Sequence, residues 1–287
     1  MSTNDPHDAE PTDAVVEDVC YRHPSRPAGV TCQRCDRKIC PECMHNASVG
    51  VHCPECTKNT KQRVYTASTL PGSDPIVTKV IVAINVLVFV MFNASGRGTL
   101  ELQVSGFLID QFNEPWRIIT GGFAHGSAIH LGMNMFALWN LGRMLERSLG
   151  PSVFAAAYMT SLIGGSFLAI LFDPVQPVLG ASGAIFGLLG LVVLALRSHG
   201  VGLQESGLAR VLLINLFISF LPFVSLWGHA GGFFAGLVLG VFYFGMNQGD
   251  GPVIKGTRQQ LAATIGLGVV LFGAALWASS TWANPIL

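Results

Sequence analysis

The sequence predicts an all-α polytopic membrane protein preceded by a small zinc-binding module, and three observations carry that prediction. Of 287 residues, 50% are hydrophobic and only 12% are charged, against about 25% charged in soluble domains. The charge is uneven, with 17 charged residues in positions 1–70 and 17 in the remaining 217. All seven cysteines lie between Cys20 and Cys56, so their chemistry belongs to the polar segment alone. A formal net charge of zero argues against a generally basic nucleic-acid binder, and no nucleic-acid partner is expected. The same counts exclude collagen-like, wholly disordered and disulfide-rich secreted chains.

Residues 1–18 hold six acids and no lysine or arginine. They lack the basic start and apolar stretch of a signal peptide and are expected to form a disordered acidic tail. Residues 19–57 then carry four ligand pairs, Cys20-x2-His23, Cys32-x2-Cys35, Cys40-x2-Cys43 and Cys53-x2-Cys56. A two-residue gap lets one tight turn aim two ligands at one ion, and four pairs fill two tetrahedral zinc sites. A segment too short for its own core can be folded by metal alone. Disulfides would leave one of the seven cysteines over, whereas zinc uses them all and a histidine besides. The succession of pairs suggests interleaving, with Cys20, His23, Cys40 and Cys43 on one ion and Cys32, Cys35, Cys53 and Cys56 on the other. His45 and His52 are competing ligands, or else solvated loop histidines. The arrangement resembles a B-box-type cross-brace zinc finger, a family of interaction modules, which implies a cytosolic protein partner rather than catalysis.

After a polar linker at 58–74, uncharged apolar stretches follow at lengths near the 20 helical residues that cross a hydrocarbon layer of about 30 Å. Helices are predicted over 77–94, 123–145, 151–172, 179–198, 208–225, 227–247 and 260–282. Each stretch is too long and too continuously apolar for a barrel strand. The fifth and sixth form one uncharged run from Val211 to Gly249, broken near Pro222 and Trp227 into a hairpin. With a cytoplasmic amino terminus, Lys58, Lys61, Arg63, Lys79, Arg143, Arg147, Arg197, Arg210, Lys255 and Arg258 fall inside, leaving Arg97 and Arg117 outside, as the positive-inside rule prefers. Residues 95–120 become an external, half-buried loop. Seven crossings put the carboxyl terminus, in the segment 251–287, on the extracytoplasmic side of the plasma membrane.

Three polar clusters interrupt these helices: His125, His130 and Asn134 on the second, Ser182 within Gly180-Ala181-Ser182-Gly183 on the fourth, and His229 on the sixth. Ionisable groups inside a bilayer are costly and mark function. The three helices run in one direction, so the clusters share the outer half of the membrane. Gly228, Gly232, Gly236 and Gly240 form one face of the sixth helix, while the fourth carries Gly183 and Gly187. Small residues at this spacing let backbones approach, which would bring Ser182 within reach of His229 as an activated nucleophile requires. Taken singly, a G-x-S-G segment in a membrane helix is more often a packing motif, and His229, His130 and Asn134 could be interhelical hydrogen-bonders. Their coincidence at one depth favours a site.

These motifs, in this order over residues 75–250, resemble a rhomboid intramembrane serine protease. Trp116-Arg117 resembles the motif of the first loop, His130-x3-Asn134 that of the second helix, Gly180-Ala181-Ser182-Gly183 the nucleophile motif, and His229-x2-Gly232-x3-Gly236 that of the sixth helix. The resemblance implies a six-helix bundle, here with one added carboxyl-terminal helix. Ser182 would be the nucleophile, His229 its general base in a dyad without an acid, and His130, Asn134 and the Ser182 amide the oxyanion donors. Phe186 stands where some members have a tyrosine against the histidine, and Gly121 where some have another histidine.

The expected function is therefore a serine endopeptidase that cleaves transmembrane protein substrates in lipid. It needs no cofactor for catalysis, while two structural zinc ions hold a module that selects or regulates substrates. The alternative is a non-catalytic membrane adaptor that binds client segments and recruits a cytosolic partner through the zinc module. A transporter would show inverted repeats and broken mid-membrane helices, and the sequence has neither.

Overall fold

The computed structural model describes residues 18–46, 50–58, 74–94, 99, 101–221, 224–247, 249 and 251–281. The acidic tail except Asp18, the linker except Lys58 and Asp74, and with them Lys61, Arg63, Arg97 and Pro222, lie outside the described residues. Two compact units divide the chain, Met1–Thr66 and Ala67–Leu287.

In the first unit β1 (Val30–Thr31) pairs antiparallel with β2 (Lys38–Ile39), and β3 (His45–Asn46) with β4 (Val51–His52), followed by α1 (Pro54–Lys58). Elements this short bury little apolar area. The interior is instead Ile39 surrounded by Cys20, Cys32, Cys40, Cys43 and Cys53, an interior built for metal rather than for hydrocarbon packing.

The second unit is helical: α2 (Ile76–Ala94), α3 (Gly106–Phe112), α4 (Arg117–Thr120), α5 (Ala128–Leu149), α6 (Pro151–Phe172), α7 (Ser182–Ser198), α8 (Leu208–Ser219), α9 (Leu226–Phe244) and α10 (Thr257–Thr281). Seven of these answer to the seven predicted helices. Among the described helices α6, α9 and α10 are each long and apolar enough to cross a membrane; α2, α7 and α8 are apolar but shorter.

Several ends differ from expectation, each for a local reason. α5 begins at Ala128 rather than near 123, because Gly121–Phe123 form a separate 3-10 turn and the Ser127 hydroxyl caps the helix at His130 N–H. It runs on to Leu149 and stops at Gly150, whose φ of 79° suits only glycine. α7 starts at Ser182, three residues late, after Gly180 at φ 117°. α8 ends at Ser219 after 12 residues, about 18 Å of helix. The half-buried loop is partly helical, with α3 and α4 tied to the segment before α7 by paired hydrogen bonds between Val104 and Val178, 2.8 Å each way. Arg117 is buried there, its Nε donating to Glu114 at 2.5 Å and its guanidinium to the Gln103 carbonyl at 3.2 Å.

α7 is the central helix, buried without a break from Ala184 to Val192, as an all-apolar helix should be. Its contact with α9 leaves no room for a side chain. A Cβ on Gly232 would lie 1.8 Å from the Gly183 carbonyl oxygen, and one on Gly236 would lie 1.9 Å from that of Gly187. Gly228, expected on the same face, approaches α7 through its carbonyl, which a Cβ on Gly183 would meet at 3.3 Å, while its own Cβ would face the cap residue Ser225. A second small face, not read from sequence, meets α6: a Cβ on Gly231 would stand 2.2 Å from the Gly164 carbonyl oxygen. At the other end of the bundle Glu146 of α5 caps α2, accepting from Val77 N–H, Thr78 N–H and the Thr78 hydroxyl at 2.9, 2.8 and 2.7 Å. A buried carboxylate thus meets free N–H groups at a positive helix end.

Gly232→Val should destabilise the detergent-solubilised protein by about 1–3 kcal/mol or more, since backbone rather than a flexible side chain must yield. Gly273→Ala, which meets nothing within 4 Å, should leave the thermal midpoint unchanged. Thermal unfolding of the two variants side by side checks this, and equal midpoints would refute the backbone contact.

Candidate active site and metal centres

α5, α7 and α9 all begin at one end of the bundle, and each contributes to the site from its first turns. Serine caps fix two of the starts: Ser127 accepts from His130 N–H, and Ser225 accepts from Gly228 N–H. Those caps place His130 two residues into α5 and His229 three residues into α9. Ser182 is the first residue of α7. No acceptor pairs with its backbone N–H among the described residues, so that donor and the positive end of the helix face the same space.

Ser182, His229, His130 and Asn134 all line one cavity of about 1180 Å³. Phe186, one turn after Ser182 on the same helix face, stacks on the His229 imidazole with centroids 3.9 Å apart and planes at 15°. The expected ring contact is therefore present, and it holds the imidazole over the face of α7 that carries Ser182. No hydrogen bond joins Ser182 to His229 in this structure. Apo catalytic pairs are often longer than in the substrate complex.

On the opposite wall, a Cβ at Gly180 would lie 2.7 and 2.8 Å from Cε1 and Nε2 of His130, and 3.6 Å from Nδ2 of Asn134. Both side chains therefore reach the backbone two residues before Ser182, an approach only glycine permits. Asn134 Nδ2 is buried and donates to nothing. Asn134 Nδ2 and the Ser182 backbone N–H thus have no intramolecular acceptor among the described residues, and His130 lines the same cavity. His125 does not line the cavity; it is fully buried behind His130, ring centroids 5.0 Å apart.

One polar contact was not read from the sequence. His229 Nδ1 lies 2.6 Å from Ser219 Oγ at the end of α8. Asp173, which also lines the cavity, makes no bond to His229. A serine inside an apolar run carries no sequence signal for such a role, because only the fold brings the end of α8 to the His229 ring.

In the first unit the predicted ligands form two clusters, Cys20, His23, Cys40 and Cys43, and Cys32, Cys35, Cys53 and Cys56, with the ligand atoms of each within 4.8 Å of one another. This is the interleaved pairing. His45 and His52 belong to neither; they face each other across β3 and β4. Burial alone would raise the Cys20 thiol, but backbone N–H groups of Cys40, Arg22 and His23 outweigh it and bring it to about 6. Cys32 is likewise held near 6, against its burial, by N–H groups of Arg34, Cys53 and Cys35. Burial and the facing sulfurs of Cys20 and Cys40 push Cys43 up to about 11. The Cys53 sulfur, then burial, push Cys56 up to about 12. Each cluster could thus hold a thiophilic dication: one sulfur ionises readily, and the last would lose its proton only to a positive charge at the centre.

Residues 113–246 match the family model of the rhomboid domain. The chain is 33% identical over 198 residues to the rhomboid protease GluP of Bacillus subtilis (strain 168), covering 64% of this chain and 39% of that protein. It is also 33% identical over 198 residues to RHOMBOID-like protein 4 of Arabidopsis thaliana, covering 62% and 50%. A match of 34% over 127 residues, covering 42% and 36%, reaches inactive RHOMBOID-like protein 8 of the same plant. The matched stretch spans half or less of the length of these relatives. Over residues 113–246 the chain is thus similar to a rhomboid domain, and its long apolar helices α6, α9 and α10 fit a multi-pass membrane protein.

Proposed function

We propose that the chain is an active intramembrane serine endopeptidase. The observation that carries this reading is the shared cavity, in which a serine at a helix start, an imidazole stacked by Phe186 and two unengaged side-chain donors surround one space. Ser182 Oγ attacks the scissile carbonyl while His229 Nε2 takes its proton, and the oxyanion forms among His130, Asn134 and the Ser182 amide. His229 then returns the proton to the leaving amine, giving an acyl-enzyme. Water, deprotonated by His229, releases the acid and restores Ser182. Relatives named as rhomboid proteases support the reaction class, and the inactive relative makes a direct assay decisive.

The substrates are proposed to be transmembrane segments that unwind locally, since a helical peptide bond is shielded by its neighbours. The proposed orientation puts the amino terminus in the cytoplasm and the cavity on the extracytoplasmic side of the plasma membrane. In support, Arg143, Arg147 and Arg197 lie on the last turns of α5 and α7, at the far ends of these helices from the site. The first unit is proposed to hold two structural zinc ions in a module, residues 19–57, that selects substrates or recruits a cytosolic protein without entering the chemistry.

A fluorophosphonate probe should label the purified protein, and Ser182→Ala should abolish both labelling and cleavage of a transmembrane substrate. Absence of labelling in a correctly folded wild type would favour the non-catalytic adaptor. Asn134→Ala should lower kcat by about 10²–10³, the usual effect of removing one oxyanion donor, while labelling remains detectable; unchanged turnover would remove Asn134 from the site. Elemental analysis should find about two zinc ions per chain, and about one after Cys53→Ser. Iron, or no metal at all, would overturn the zinc assignment.

A further inference from the structure

We infer that Ser219 is a positioning residue for His229, fixing the ring tautomer that leaves Nε2 free to act as base. The inference rests on the Ser182–His229 reading and adds the question of what holds the base in its working form.

A neutral imidazole carries one proton, and the hydrogen bond at one ring nitrogen decides where it sits. Ser219 Oγ lies 2.6 Å from His229 Nδ1 and 2.8 Å from the Asn215 carbonyl oxygen one turn back in α8. The hydroxyl has a single proton and two lone pairs. A carbonyl oxygen can only accept, so the proton goes to Asn215 and a lone pair is left toward the ring. Nδ1 must then carry the hydrogen and donate it to Ser219, which leaves Nε2 unprotonated. The helical back-bond that serine commonly makes is what turns this hydroxyl into a fixed acceptor.

The placement is selective. Of the 12 residues of α8, only Leu208 and Ser219 are buried, while Leu213, Ile214, Leu216 and Phe217 are exposed. A helix that otherwise presents hydrocarbon outward thus delivers its one buried hydroxyl to the ring. Phe186 fixes the plane of the imidazole, and Ser219 fixes rotation within that plane. The role resembles that of the carboxylate in a Ser-His-Asp triad, without its charge.

Ser219→Ala and Ser219→Thr should be compared with wild type and with Ser182→Ala, measuring kcat and KM on a transmembrane substrate in detergent. Loss of one neutral hydrogen bond predicts about a tenfold fall in kcat with KM unchanged for Ser219→Ala, and kcat within about twofold of wild type for Ser219→Thr, which keeps the hydroxyl. Nitrogen-15 NMR of histidine-labelled protein should show His229 protonated at Nδ1 in wild type and a tautomer mixture in Ser219→Ala. If Ser182→Ala abolishes cleavage but Ser219→Ala leaves kcat intact, the positioning role alone is overturned. If Ser182→Ala does not abolish cleavage, the dyad reading falls and the role with it. A wild-type ring unprotonated at Nδ1 overturns the inference whatever the variants do, including a case where Ser219→Ala fails to fold.

Discussion

The helical unit depends on one contact, the approach of the α7 and α9 backbones until carbonyl oxygens of one helix rest on glycine Cα atoms of the other. Gly232 and Gly236 meet the carbonyls of Gly183 and Gly187 where any Cβ would overlap them. Helices in lipid gain little from burying hydrocarbon, so close van der Waals contact must supply the association. The same contact sets the chemistry. Ser182 precedes Gly183 and His229 lies three residues before Gly232, so the register that seats the glycines also brings the two side chains to one end of the pair. Phe186 then uses the short spacing to lie flat on the imidazole. A looser pair of helices, separated by ordinary side chains, would place that ring out of stacking range.

Much of this arrangement was legible because it rests on residue types that have few other uses in such surroundings. Paired cysteines with two-residue gaps pointed to two tetrads, and the close succession of the pairs suggested the interleaving in which the ligand atoms cluster. Glycine every fourth residue specified the face of α9 that α7 would meet. The polar residues His130, Asn134, Ser182 and His229 stood out against apolar helices, and the cavity gathers all four. What could not be read depended on tertiary register. The start of α7 was placed three residues early because hydrophobicity does not register the positive φ of Gly180. The Gly231 face toward α6 was hidden among the other glycines of α9, and nothing in the sequence near Glu146 marks it as the acceptor for the free N–H groups of α2. Ser219 gave no signal, because serine is common and only the tertiary fold brings this one to the His229 ring.

The two units solve the folding problem in different ways. Among its described residues the first has little apolar core beyond Ile39 and gathers sulfur instead, so a bound metal would contribute directly to its folding. The second has abundant apolar surface, and some of its buried hydroxyls bond to carbonyls of other helices. Ser166 donates to the Ile118 carbonyl at 2.8 Å, and Thr160 donates to the Thr264 carbonyl at 3.0 Å. Several other buried polar atoms have no partner, Asn134 Nδ2 among them. Of these, Asn134 is the one that lines the cavity with Ser182 and His229, and for this reason the acceptor proposed for it is one that arrives with the substrate.

The choice of a hydroxyl rather than a carboxylate behind His229 follows from the same surroundings. A charged acceptor would stabilise the imidazolium formed during attack, but burying it among apolar helices costs several kcal/mol unless donors surround it. Glu146 shows what such burial requires: three donors, at the end of a helix whose dipole favours the charge. The space beside His229 offers no comparable set, since the exposed faces of α8 are apolar. A serine whose proton is already committed supplies direction without charge, and Phe186 supplies orientation without any polar group. On the proposed reading, the transition state would be stabilised chiefly through neutral donors around the oxyanion. Their value rises with the low dielectric that excludes a carboxylate.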